Sequence, residues 1–465
     1  MLSEDILFLP VAELAKKIRA RQLSPVELAE SYLERSRKLG PKLNAYATLT
    51  PELALEQARA AEKEIAAGKY RGPLHGIPYA AKDLLAVKGY PTTWGVRPLT
   101  GQKFDHDATV IRKLNAAGAV LLGKAAMIEL AGGLGYRFAS ASATGPAKNP
   151  WNTGCWTCGS SSGSGAIMAA GLAAFALGTE TWGSIICPSS FCGITGLRPT
   201  FGRVSRAGAM ALAYSMDKIG PMGRTAEDCD LVLRVISGHD PEDAGSLPEA
   251  AAKYGGAAGA RPLRLGWLVN QWKEIQPDVN TAVTQASDVL QDIFRGKTTN
   301  VKLPEGPWET AAGTIVSVEG ATAFRSLIQS GQVTQLSDPL ARIGGYMNEE
   351  ISASDFMLAQ RIRGVLVKKM DAIFNDVDVL FTASLPVTAS KLEANLDDEL
   401  SFPDPIGGIG NICGLPAISV PCGFAKNGLP VGLQFIGRPL DDAKVVQAAR
   451  LFQSQTDWHT KRPAL

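Results

Sequence analysis

With 465 residues, 45% of them hydrophobic and 20% charged, the chain can bury a large core, as one big α/β domain or two smaller ones. Its 47 basic and 45 acidic residues leave a net charge of +2 without long same-sign runs, which excludes a nucleic-acid footprint and a polybasic membrane patch.

The opening MLSEDILFLPVAELAKK carries acids where a secretory leader carries bases, and its apolar run is short. No uncharged apolar segment reaches the ~18 residues that a membrane span requires. Seven cysteines, an odd number in apolar surroundings, argue against a disulfide framework and for a reducing compartment, so a cytoplasmic protein is expected. Cys155 and Cys158 form a C-x-x-C, but no second pair or nearby His completes a tetrahedral site, and no metal is expected. The four histidines, His75, His106, His239 and His459, limit any mechanism built on a His base.

Residues 10–70 read as amphipathic helices, one of them started by the Ser24-Pro25 signature and another running from Pro51 to Ala67. Ile77–Ala81 is an apolar strand that delivers Lys82 and Asp83 at its end. A lysine there is either a snorkelling side chain or a desolvated amine that loses its proton near neutrality. Asp107–Ala117 reads as a helix and Ala119–Gly123 as a strand, an alternation that predicts an α/β sheet covered by helices. Gly132-Gly-Leu-Gly135 lacks the context of a dinucleotide fingerprint and no P-loop occurs, so no nucleotide cofactor is inferred.

The stretch Cys158–Pro199 organises the chain. A serine/glycine cluster, Gly159–Gly165, precedes an Ala-rich helix expected over 164–173 and a buried strand expected over 174–179. A ten-residue helix climbs roughly 15 Å and a six-residue strand returns roughly 20 Å. Ser160 and Ser184 are therefore expected at the same end of one α/β unit, among hydroxyls and unencumbered backbone N–H groups suited to acyl transfer.

Beyond Pro199, 201–223 reads as loop, Thr225–Ser237 as a helix and His239–Arg261 as a polar excursion. Leu263–Val269 reads as a strand and Val279–Phe294 as a helix. Residues 295–365 carry no chemical motif. Strands follow at Val377–Thr382, within Gly414–Pro421 and at Val431–Ile436, and Asp441–Phe452 closes as a helix.

Gly159-Ser-Ser-Ser-Gly163 also satisfies G-x-S-x-G, with Ser161 as attacker and His239 or His459 as base. The loop composition before it, where that motif needs a strand, speaks against this elbow.

Lys82 in GIPYAAKDLL, Ser160 in CGSSSGSG, Ser184 in GTETWGSIICPSSFCGITGLRPT and the run GLPAISVPCG together resemble the amidase signature family, from about residue 10 to the end. The resemblance implies one domain over 1–465, a central mixed β-sheet with helices on both faces, a signature core at 75–200 and a variable pocket region at 295–410. It implies a Ser184 nucleophile, a bridging Ser160 beside a cis peptide bond, and Lys82 as terminal base. Ser161 would support the lysine by hydrogen bonding. The N–H groups of Thr181, Trp182, Gly183 and Ser184 would form the oxyanion hole. No cofactor is implied, and a homodimer would be ordinary for the family.

The chain departs from that pattern with Glu180 for aspartate, Trp182 for glycine, Ile186 for arginine and Ser162 for glycine. Met127, Trp182 and Ile186 are expected to wall the pocket, favouring small amides with apolar or aromatic parts, with esters or carbamates on the same site. The alternative is the glutamine-hydrolysing component of a tRNA-dependent amidotransferase. The missing arginine speaks against it, because glutamine's charged head needs paired groups.

Overall fold

In the computed structural model, residues 2–256, 262–269, 271–295 and 298–465 are described. Among the described residues, thirteen strands follow one another along the chain. They are β1 (Tyr46–Leu49), β2 (Pro78–Lys82), β3 (Val120–Ala125), β4 (Lys148–Asn149), β5 (Asn152–Trp156), β6 (Phe175–Glu180), β7 (Thr195–Arg198), β8 (Lys218–Gly223), β9 (Leu265–Leu268), β10 (Thr298–Val301), β11 (Val379–Ala383), β12 (Ala417–Phe424) and β13 (Pro430–Gly437). Eleven form one mixed sheet in the order β1-β3-β2-β6-β8-β7-β12-β13-β11-β9-β10, and β4 and β5 make a separate hairpin. Helices cover the sheet, and its central strands β2, β3, β6, β8, β12 and β13 read as nearly continuous buried runs.

Local chemistry accounts for the helix starts. Ser24 Oγ accepts from the N–H groups of Val26 and Glu27 with Pro25 in the first position, opening the helix Pro25–Leu43. Thr225 and Asp228 form a reciprocal capping box for Ala226–Ile236. The Ala-rich helix is shorter than its composition suggests, Ser162–Ala169, because Gly171 turns the chain with φ of +65°.

β2 and β6 run parallel, with Tyr79 opposite Phe175 and Ala81 opposite Leu177. Their carboxyl ends finish on the same edge, so Lys82 emerges beside Thr179. The helix Ser162–Ala169 packs tightly there. A Cβ at Gly163 would stand 2.6 Å from the Ala126 carbonyl oxygen, so only glycine lets the two backbones meet.

Two expectations are corrected. Lys218–Gly223 is a buried strand between β6 and β7 rather than loop, its Pro221 opposite Leu177. Cys158 and Cys187, with Cα atoms 5.8 Å apart, form a disulfide, where the cysteine pattern argues against a disulfide framework; Cys155, Cys192, Cys229, Cys413 and Cys422 are free and buried. The turns before Ser160 and after Ser184, distant in sequence, meet in space and bring these two cysteines together. The polar excursion expected over 239–261 extends into 257–261, outside the described residues. Among the described residues no helix is long and apolar enough to cross a membrane.

Candidate active site

Lys82 ends β2 with its side chain fully buried. Its Nζ donates to Ser160 Oγ at 2.7 Å and to Thr179 Oγ1 at 2.9 Å. Burial pulls the amine down to about 7, against the opposing charges of Asp217 and Glu180. An amine so placed is substantially neutral at physiological pH.

Ser160 Oγ lies 3.0 Å from Ser184 Oγ, and a hydroxyl both donates and accepts. The Gly159–Ser160 peptide bond is cis. Exposure rises along this chain of groups, from 0% at Lys82 and 1% at Ser160 to 8% at Ser184, so the accessible end is the Ser184 hydroxyl.

The turn that presents Ser184 is held from below. Glu180, fully buried, accepts from the N–H groups of Ile185 at 2.9 Å and Ile186 at 3.0 Å through one oxygen. Its other oxygen takes Arg198 Nη1 at 2.7 Å and Asn411 Nδ2 at 3.1 Å. Burial opposes its ionisation, but the Arg198 and Lys218 charges prevail and hold the carboxyl at about 2. Gly183 bends the turn with φ of +77°, in the left-handed region, with open space where a side chain would stand. Among the described residues nothing accepts from the N–H groups of Trp182, Gly183 or Ser184. Three free donors on one turn can receive a developing oxyanion.

Ser161 is not at the lysine. Its Oγ donates to the Thr179 carbonyl and accepts from the Thr179 N–H, both at 3.2 Å, and Thr179 Oγ1 contacts Lys82 instead. Thr179 belongs to no sequence motif; its place at the end of a buried strand beside the lysine strand is the signal that marks it. His239 faces the Leu247 carbonyl and His459 sits in the C-terminal turn Trp458–Thr460, so neither serves Ser161 as a base.

Of the expected pocket residues, Met127 is fully buried in the main core, Ile186 is buried, and Trp182 is half-buried. The 295–410 region does reach this edge. Asp404 Oδ2 accepts from Trp182 Nε1 at 2.9 Å, and Glu309 Oε1 accepts from the Asp404 N–H at 2.5 Å. A cavity of about 300 Å³ adjoins Thr179 and Thr181, lined also by Leu84, Met210, Leu212 and Tyr214. Among the described residues no group of His, Cys, Asp or Glu could hold a metal ion.

The Amidase family model matches residues 27–446. The chain belongs to the amidase family. Among its relatives, the A subunit of glutamyl-tRNA(Gln) amidotransferase from Chloroflexus aggregans is 37% identical over 489 residues, covering 99% of both chains. Its counterpart from Methylococcus capsulatus is 37% identical over 485 residues, covering 98% of both. The structure of the peptide amidase from Stenotrophomonas maltophilia superposes with a TM-score of 0.85 at 30% identity, covering 98% of both chains. This amidase-family enzyme therefore acts on carbon–nitrogen bonds, on the family's mixed-sheet fold.

Proposed function

We propose that the protein is a serine amidase that cleaves carboxamides with an apolar or aromatic part through an acyl-enzyme on Ser184. The observation that carries the acyl-enzyme chemistry is the unbroken run from a buried Lys82 amine, through Ser160 Oγ at 2.7 Å, to Ser184 Oγ 3.0 Å further on. A serine hydroxyl is a weak nucleophile until a base takes its proton. Neutral Lys82 takes the Ser160 proton as Ser160 takes that of Ser184. Ser184 Oγ then forms a bond to the carbonyl carbon, and the carbonyl oxygen gathers negative charge against the free N–H groups of Trp182, Gly183 and Ser184. Collapse breaks the C–N bond, with the proton held at Lys82 returned through Ser160 to the leaving nitrogen. Water, deprotonated by the same relay, then attacks the ester carbonyl. The carboxylic acid leaves and Ser184 regains its proton.

A second reading has a specific observation in its favour. The 37% identity to an amidotransferase component over 99% of both chains supports a glutamine-hydrolysing protein that hands ammonia to a partner. The same relay performs that chemistry, so the two differ in substrate and partner. The relatives favour this second reading over the apolar one, whose own support is the half-buried Trp182 ring beside the Ser184 turn.

Mass spectrometry after fluorophosphonate treatment tests the shared chemistry: the adduct is expected on Ser184, and an adduct on Ser161 would overturn it. The purified chain alone, assayed with glutamine against aryl amides, esters and carbamates, separates the readings. Turnover of glutamine but not aryl amides would make the amidotransferase reading the correct one.

A further inference from the structure

We propose that Asp404 is a positioning residue that pins the indole of Trp182 as a wall of the substrate site and thereby sets preference among acyl groups. This rests on the acyl-enzyme reading above. Trp182 belongs to the turn that carries the free N–H groups and Ser184, yet its side chain crosses to the helix Pro405–Ile412. There Asp404 is fully engaged. One oxygen accepts the indole N–H at 2.9 Å, the other caps the helix by accepting from the Gly407 N–H at 3.0 Å, and its own N–H is held by Glu309.

The helix is also cut to fit the ring. A Cβ on Gly407 would fall first on the Asp404 carboxylate and would stand 2.6 Å from Trp182 Nε1, and one on Gly408 would stand 3.3 Å from Cζ2 of the same indole. Neither glycine lies in the left-handed region, so conformation does not call for them. Adjacent glycines weaken a helix. What they provide here is room for the indole and for the Asp404 carboxylate that holds it. Trp182 is anchored by a hydrogen bond at its edge and accommodated by missing side chains beneath it.

The test compares kcat/KM for a bulky aryl-acyl anilide and a short-chain acyl anilide. Asp404→Asn is nearly isosteric and keeps a good helix cap, but it can turn a donor toward the indole N–H; Asp404→Ser keeps a cap and leaves the indole without a partner. Each is expected to lower the aryl-to-short-chain ratio about tenfold, the scale of one charge-assisted hydrogen bond, chiefly through KM for the aryl substrate. Trp182→Phe alone should lower the ratio similarly, and Asp404→Asn should add nothing in that background. An unchanged ratio, an equal loss for every substrate, or additive effects in the double variant would overturn the proposal. Fluorophosphonate labelling runs in parallel. If Ser184 is labelled in every variant and the ratio does not move, only the role of Asp404 falls. If Ser184 is not labelled in the wild type, the acyl-enzyme reading falls and takes this inference with it.

Discussion

Ser161 and Thr179 clasp each other through two hydrogen bonds of 3.2 Å, the serine hydroxyl donating to the threonine carbonyl and accepting from its N–H. The clasp fixes the end of β6, and with it the Thr179 hydroxyl that meets Lys82 Nζ at 2.9 Å. Thr179, and not Ser161, is therefore the hydroxyl residue of this pair that touches the lysine.

Thr179→Val keeps the shape of the side chain and removes that hydroxyl from the lysine. A fall in kcat of about 10- to 100-fold is expected, the scale of one hydrogen bond to a group that becomes charged. Thr179→Ser should restore most of it. Steady-state kinetics on any amide that the wild type turns over reads this out, and an undiminished kcat in Thr179→Val would remove Thr179 from the lysine's support.

Glu180 and Arg198 form a buried pair beneath the Ser184 turn, 2.7 Å apart and almost without exposure on either side. Glu180→Gln is expected to cost about 3–5 kcal/mol, because one buried charge is left without its partner. Urea unfolding at neutral pH measures it. The pair also has a pH signature. The folded carboxyl is held at about 2, below its ordinary 4.5, so its stabilisation is present above 4.5 and is lost as pH falls toward 2. The stability gap between wild type and variant should close over that window.

Much of this architecture is written in local sequence, and the exceptions have physical reasons. The strand that ends in Lys82, the Ala-rich helix and the strand after it are legible because apolar runs and small-residue turns mark them. The strand Lys218-Ile-Gly-Pro-Met-Gly is not, since a proline and two glycines have loop composition. It is a central strand because its neighbours demand thinness: a Cβ on Gly220 would fall against the Leu197 carbonyl oxygen. Lys82, Ser160 and Ser184 are legible through their motifs. Thr179, Asp404 and the Cys158–Cys187 pair are set by tertiary proximity, which spacing along the chain does not encode.

The disulfide joins the segment two residues before Ser160 to the segment three residues after Ser184. Thiol titration of the denatured protein should find five thiols without reductant and seven with it. A Cys158→Ser/Cys187→Ser variant should lose about 2–4 kcal/mol of stability. Seven thiols without reductant would show that the pair is not joined in the isolated protein.

The rate at which a fluorophosphonate labels Ser184, followed against pH in wild type and Lys82→Met, tests the Lys82–Ser160–Ser184 relay most directly. With the amine titrating at about 7, the wild-type rate should rise about tenfold per pH unit below that value and level off above it. Lys82→Met should be slower by at least ~10²-fold and should lack that limb. A wild-type rate indifferent to pH from about 5 to 9, or equal labelling of the methionine variant, would mean that the lysine does not activate the serine.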